Sequence, residues 1–201
     1  MIESIQKRLS RAFDAGHKGQ VTNLLDDSPY APKRIRPAAV LIAVTDRPQP
    51  GVILTHRPTS MRDHAGQVAF PGGKIETGEN AIQAALREAH EELSIIPGEV
   101  QVIGECDHFI SRTGFDVAPV LGVVPADLRI TPHPEEVDGW FEAPLAYLLD
   151  EANHLHREID VNGNRREFIE IIWDGHRIWG VTAAIIHNLS RRIAWTSCLS
   201  G

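Results

Sequence analysis

Residues 80–93, "NAIQAALREAHEEL", put an apolar stripe and an acidic arc on one helical period, and that pairing constrains the fold more than any other segment. At about 100° per residue, Ile82, Leu86, Ala89 and Leu93 share one narrow face, while Glu88, Glu91 and Glu92 gather within roughly a 100° arc. The apolar stripe requires a core to pack on. The acidic arc has no lysine or arginine one turn downstream, and like charges at that spacing repel by about 0.2–0.5 kcal/mol per pair. Such an arc either stays solvated or holds hard divalent cations, which take oxygen ligands. With no cysteine nearby, Mg²⁺ or Mn²⁺ is the fitting ion. His90 and Glu91 open like the zinc motif H-E-x-x-H, but Ser94 stands where the second histidine belongs, so that reading fails. His90 itself projects away from the acids, towards solvent or packing.

A chain of 201 residues, 42% hydrophobic, can bury a full core and fits one domain. No apolar run approaches the roughly 18 residues that cross a bilayer. The opening "MIESIQKRLSRAFDAGHKG" lacks an apolar signal core and carries Glu3 and Asp14, against a targeting peptide. Ile2, Ile5, Leu9 and Phe13 fall at helical spacing instead, so an amphipathic helix is expected there, packed on the domain or a partner rather than on a membrane. Cys106 and Cys198 are too few and too far apart for a disulfide framework or a zinc site, which suits a reducing, cytoplasmic setting. The formal charge of −7 disfavours nucleic-acid binding, which needs a basic surface. A phosphate-bearing small molecule would then need a local source of positive charge.

Along the chain, the Pro-rich and charged "DDSPYAPKRIRP" reads as a linker, giving an N-terminal helix and linker over 1–34 and a main domain over 35–195. "AAVLIAV" (38–44) and "GVILTHR" (51–57) are β-branched runs around a turn-like "TDRPQP", hence two strands. "QVAF" leads into the glycine-punctuated loop "PGGKIETGEN". "VQVIGE" and "APVLGVVPA" read as strands, "FEAPLAYLLDEA" as a short helix, and "REFIEIIWDGHRIWG" as a strand pair turning at Asp174-Gly175. A last helix is expected over "VTAAIIHNLSRRIAW". Helices and strands are interspersed, so the fold class is α/β or α+β, in layers. The N-terminal helix and the strand pair near 166–179 are the candidate surfaces for a homodimer. Trp140, Trp173, Trp179 and Trp195 suit core or interface better than base stacking.

Gly73, Glu79, Arg87, Glu88, Glu91, Glu92 and Ile95 follow the spacing G-x5-E-x7-R-E-U-x-E-E-x-G-U, with Ser94 at the second glycine. The chain therefore resembles a Nudix hydrolase. The resemblance implies an α/β/α sandwich around a mixed central sheet and hydrolysis of a diphosphate linked to another moiety. It implies Glu91 and Glu92 as metal ligands, Glu88 as ligand or base, and Arg87 as the residue that holds the glutamates, with Glu79 as its ion-pair partner. The carbonyl of Gly73 or a neighbour would be a further ligand. Glu136 would be an additional acid near the metals, with adjacent Glu135 as its rival. Serine takes the left-handed turn that glycine favours after a helix less readily, so Ser94 is the departure to watch.

A second stretch, "ILTHRPTSMRDHAGQVAFPGG" (53–73), resembles a signature of coenzyme A diphosphatases within that superfamily, carried by Leu54, Thr55, Arg57, Arg62, Gly66, Phe70, Pro71, Gly72 and Gly73. It implies coenzyme A or an acyl derivative as substrate. Arg57 and Arg62 are suited to phosphate because guanidinium pairs well with it; His64 and Gln67 are further candidates for substrate contact. Other nucleoside diphosphate derivatives, such as ADP-ribose or NADH, and a catalytically silent ligand-binding module are the alternatives.

Overall fold

The structure, a computed structural model, describes residues 3–59, 65–161 and 164–193. Its centre is strand β1 (Arg36–Thr45), whose alternating residues serve two cores at once. Ala39, Leu41 and Ala43 face one layer, while Ala38, Ile42 and Val44 face the other. β7 (Phe115–Val124) lies parallel to β1 along its whole length, from Arg36↔Phe115 to Thr45↔Val124. β5 (Gln101–Glu105) and β6 (Phe109–Ile110) pair antiparallel with β7. The sheet is therefore mixed, as expected.

The other edge of β1 explains how the glycine loop enters the sheet. β2 (Gly51–His56) pairs with β1 only near their turn, at Val44↔Val52, and the two strands then part. The segment after residue 67 fills the wedge: β3 (Val68–Ala69) pairs with β2, and β4 (Gly72–Lys74) with β1. β8 (Gly139–Pro144) closes the far edge of β2.

Helix α2 (Ala81–Leu93) covers one face. Asn80 caps its start in a reciprocal capping box with Gln83. Ala84, Ala85, Ala89 and Leu93 are fully buried against β1, while Ile82 and Leu86 pack more peripherally. Small alanines let the helix approach the sheet closely. Ser94 ends the helix in the left-handed region (φ 59°, ψ 27°), with its N–H on the His90 carbonyl, the bond of an αL C-cap, and that of Ile95 on Ala89. Its hydroxyl also donates to the Thr131 carbonyl at 3.1 Å, a bond that glycine could not make.

α1 (Ile5–His17), α3 (Leu145–Leu148) and α4 (Val181–Arg192) cover the opposite face. Ile5, Leu9 and Ala12 are buried in the main core, so the N-terminal helix packs on the domain. Arg192 locks it there by donating to the Gly19 carbonyl and to Asp107. A second sheet, β9 (Leu155–Val161), β10 (Asn164–Trp173) and β11 (His176–Trp179), packs beside α4. Asp174 and Gly175, both at positive φ, make the expected two-residue turn.

Two local readings need correction. "FEAPLAYLLDEA" is not one helix: residues up to Pro144 extend β8, only Leu145–Leu148 is α-helical, and a 3-10 turn follows at Glu151–Asn153. Leu155–Val161 is a strand that the sequence reading passed over. Trp195, Cys198 and Ile2 lie outside the described residues, and no helix among those residues is long and apolar enough to cross a membrane.

Because Leu9 is fully buried between α1 and the sheet, Leu9→Ala should lower unfolding free energy by about 2–5 kcal/mol in urea denaturation, as core truncations do. A change below about 0.5 kcal/mol would show that α1 is not part of the cooperative unit.

Candidate active site

The acidic arc of α2 is built around Arg87. Its guanidinium grips Glu79 with two parallel bonds, Nε to Oε2 at 3.1 Å and Nη2 to Oε1 at 2.8 Å. Nη2 also donates to the Lys74 carbonyl at 3.0 Å, while Nη1 donates to Glu88 at 3.0 Å and to Glu91 at 2.9 Å. One side chain thus fixes the loop after β4 to the acidic face of the helix. Glu79 is held below the usual carboxylate range, first by Arg87 and then by the Glu76 N–H. Arg87 is raised in turn, chiefly by Glu79.

Glu88 and Glu92 point inward, and burial dominates both. The Glu88 carboxylate lies directly over the Cα of Gly73, where a Cβ would collide with it. Burial raises its pKa, against the opposing pull of Arg87. The Glu92 carboxyl is pushed up to about 8, first by burial and then by the charge of Glu88. A backbone bond from Gly72 and the Arg57 charge oppose that shift, and Glu136 adds to it. Glu92 Oε2 is buried without a hydrogen-bond partner among the described residues.

Glu136 is brought here by the loop that caps α2. Thr131 and His133 donate their N–H groups to the carbonyls of Leu93 and Glu92, at 3.0 and 2.8 Å, and Glu136 donates its own to His133. Its charge acts on both Glu88 and Glu92, and the rival Glu135 lines the same cleft.

Arg87, Glu88, Glu91, Glu92, Glu135 and Glu136 line one cleft of about 790 Å³. Arg57, Gln67, Gly73, Arg87, Glu88, Glu91, Glu92 and Glu136 meet there; Arg62 and His64 lie outside the described residues. His90 is exposed, apart from the acids. Among the described residues, no three Asp, Glu, His or Cys side chains already stand as a closed metal cage, because Glu91 turns to Arg87. The donor set nonetheless fits a hard cation: an orphaned buried carboxylate oxygen on Glu92, and Glu88 seated in a cradle only glycine leaves open. Sequence reasoning missed the Lys74 carbonyl and the Gly72 N–H, since backbone groups leave no residue signature.

A family model of the NUDIX domain matches residues 35–167, most of the chain. The chain belongs to the Nudix hydrolase family. It is similar to a protein of Escherichia coli (strain K12) described as "Uncharacterized Nudix hydrolase NudL", 45% identical over 163 residues, spanning 79% of this chain and 83% of that one. A Shigella flexneri relative of the same description is 44% identical over 170 residues, spanning 82% and 86%. Among solved structures, a Nudix hydrolase from M. smegmatis, RenU, is similar with a TM-score of 0.49 and 23% identity, over 57% of this chain and 74% of that chain. The Nudix fold, with its mixed sheet between helices, is the one the resemblance implied.

The Glu92 shift carries a pH signature. Between its ordinary value of 4.5 and about 8, the folded Nudix domain holds a proton that the unfolded chain has released. Stability is then fully present below about 4.5 and falls as pH rises through that window. In chelator, the Tm of the wild type should drop from pH 5 to pH 8, and Glu92→Gln should flatten most of the slope, leaving a remainder of the same sign from Glu88. A slope unchanged in Glu92→Gln would refute the assignment.

Proposed function

We propose that this Nudix hydrolase cleaves the diphosphate of coenzyme A or its acyl derivatives, in the cytoplasm, giving 3′,5′-ADP and 4′-phosphopantetheine or its acyl form. The observation that supports this reading is the meeting of two sequence signatures in one cleft. Arg57, Gln67 and the Phe70–Gly73 run come from the coenzyme A diphosphatase stretch, and Glu88, Glu91 and Glu92 from the acidic helix.

Glu88, Glu91 and Glu92, with the Gly73 carbonyl, would hold Mg²⁺ or Mn²⁺, and Glu136 would complete the acidic wall. The chemistry such ions supply is neutralisation of the diphosphate oxygens and a lowered pKa for the attacking water. Arg87 positions Glu88 and Glu91 through its Nη1 bonds. Water adds its oxygen to one phosphorus while the bridging P–O bond breaks, and the bridging oxygen leaves with the other phosphate. Glu88 is either a ligand or the base that takes the water's proton, and the burial that raises its proton affinity suits the base. Arg57 and Arg62 would pair with substrate phosphates, with His64 and Gln67 donating hydrogen bonds. The acidic protein could thereby bind a polyanion, because arginines and cations offset the carboxylates locally.

Incubation with coenzyme A, ADP-ribose, NADH and nucleoside triphosphates in Mg²⁺ or Mn²⁺ tests the substrate. Coenzyme A should be turned over fastest; rapid turnover of another compound with none of coenzyme A sinks the assignment. Glu91→Gln should reduce kcat by about 100-fold or more, as loss of a metal-site group does, with Tm little changed. Near wild-type turnover would remove Glu91 from the site.

A further inference from the structure

Trp179, expected in the core or at an interface, is part-buried and lines the cleft of the acidic helix. It is the last residue of β11, and strand alternation buries Ile178 completely while turning Arg177 and Trp179 outward. The indole nevertheless stays part-buried, because it lines the same cleft as the acidic helix.

Its ring is held from behind. The Arg177 guanidinium lies 5.0 Å from the ring centroid, and the Phe168 ring meets it edge-on at 6.2 Å. Arg177 is itself fixed by an ion pair to Glu170, whose other oxygen accepts from Arg157 Nε at 2.8 Å. Glu170 is only 6% exposed, and Arg177 first, then Arg157, hold its carboxyl below the usual range. Arg177 and Phe168 pack against the ring without themselves lining the cleft that Trp179 lines. Directly after it, α4 begins at Gly180, and Thr182 Oγ1 donates to the Val68 carbonyl at 3.0 Å. That bond ties the aromatic wall to β3, three residues before the Gly72-Gly73 pair beneath Glu88. The cleft is thus lined by carboxylates and Arg57 and also by Trp179, Val181 and Ile185.

Val181 and Ile185 can pack against an aliphatic chain, but such a chain gains nothing particular from a ring held in a set plane. A flat nucleobase gains from such a plane, because stacking on an aromatic face is strong for every base. We infer that Trp179 is the stacking platform for the substrate's nucleobase, with Arg177 and Glu170 as its positioning residues. This rests on reading the cleft as the site of a nucleoside diphosphate derivative, but not on coenzyme A being that derivative.

The test compares AMP with ribose 5-phosphate on the full chain, by tryptophan fluorescence excited at 295 nm and by thermal shift, alongside kinetics on whichever compound of the substrate panel is turned over. AMP should quench the wild type and raise its Tm, and ribose 5-phosphate should do neither. Trp179→Leu should lose the AMP response and raise KM by about tenfold or more with kcat within about threefold, the loss expected of one stacked base. Trp179→Phe should regain most of the KM. Arg177→Met, which frees the ring's support, should raise KM less than Trp179→Leu without moving the pH profile of kcat. An AMP response and KM unchanged in Trp179→Leu overturn the inference. Should that variant fail to fold, equal binding of ribose 5-phosphate and AMP to the wild type overturns it instead. AMP binding that depends on Trp179, in a protein that ignores coenzyme A, supports the inference while removing the coenzyme A assignment.

Discussion

The Arg87 guanidinium is the contact on which the site's geometry depends. It sits among Glu79, Glu88, Glu91 and the Lys74 carbonyl, and its planar fork lets one cation answer all four. An ammonium could neutralise one or two of these groups but could not hold the loop and the helix in a single plane. Without a cation there, Glu88 would be a half-buried carboxylate facing Glu91, Glu92 and Glu136, with burial and repulsion acting in the same direction. The bidentate grip on Glu79 is outside the cleft's acidic centre. It anchors the arginine so that its remaining donors can be spent on Glu88 and Glu91 without turning towards solvent.

Backbone placement follows from the sheet. β1 and β2 pair at one point and then diverge, and the short strands β3 and β4 close the gap. Gly72 therefore lies against the β1 backbone, where a Cβ would meet the Val40 Cα at 2.6 Å, and Gly73 lies under Glu88. The two glycines do different jobs: the first permits the strand to fit, and the second admits a carboxylate. The α2 terminus is tied in the same way. Its last carbonyls accept from Thr131 and His133, and the loop so fixed carries Glu136 to Glu92. Ser94 supports this junction from the helix side, its hydroxyl on Thr131 offsetting some of the conformational penalty that a non-glycine residue meets in the left-handed region.

What the sequence made legible was periodic or chemical. The α2 helix, the β1 and β2 runs and the Asp174-Gly175 turn each carry a local signal that the structure realises, although the buried face of α2 is Ala84, Ala85, Ala89 and Leu93, with Ile82 and Leu86 at its margin. The Arg87–Glu79 pair followed from the family spacing. The failures were set by tertiary context. "FEAPLAYLLDEA" has helical composition, yet Phe141 to Pro144 are drawn into β8 by β2, a partner almost ninety residues earlier whose free edge no local window reveals. β9 escaped notice because three consecutive polar residues, His156, Arg157 and Glu158, break the alternation that marks a strand, and its partner β10 supplies the ladder that makes it one. Trp179 was read as core or interface, since nothing in "RIWG" shows that this residue lines a cleft.

The site also keeps a local conflict that its fold does not resolve by itself. A buried carboxylate oxygen without a partner is unfavourable, and Glu92 tolerates it by favouring the protonated form up to about pH 8. Arg57 and the Gly72 backbone oppose protonation but do not overcome burial and the charge of Glu88. A hydrophobic residue there would suit packing better, so the carboxyl makes physical sense only if positive charge can enter beside it. That requirement falls on a protein of net charge −7, whose long-range field attracts cations and repels polyanions. Cation entry and anion binding are then linked: each positive charge that settles among Glu88, Glu91 and Glu92 lowers the barrier that those same residues raise against a diphosphate. The unsatisfied oxygen is thus the counterpart of the substrate's charge, and the fold holds it unsatisfied through Arg87, the two glycines and the α2 capping loop.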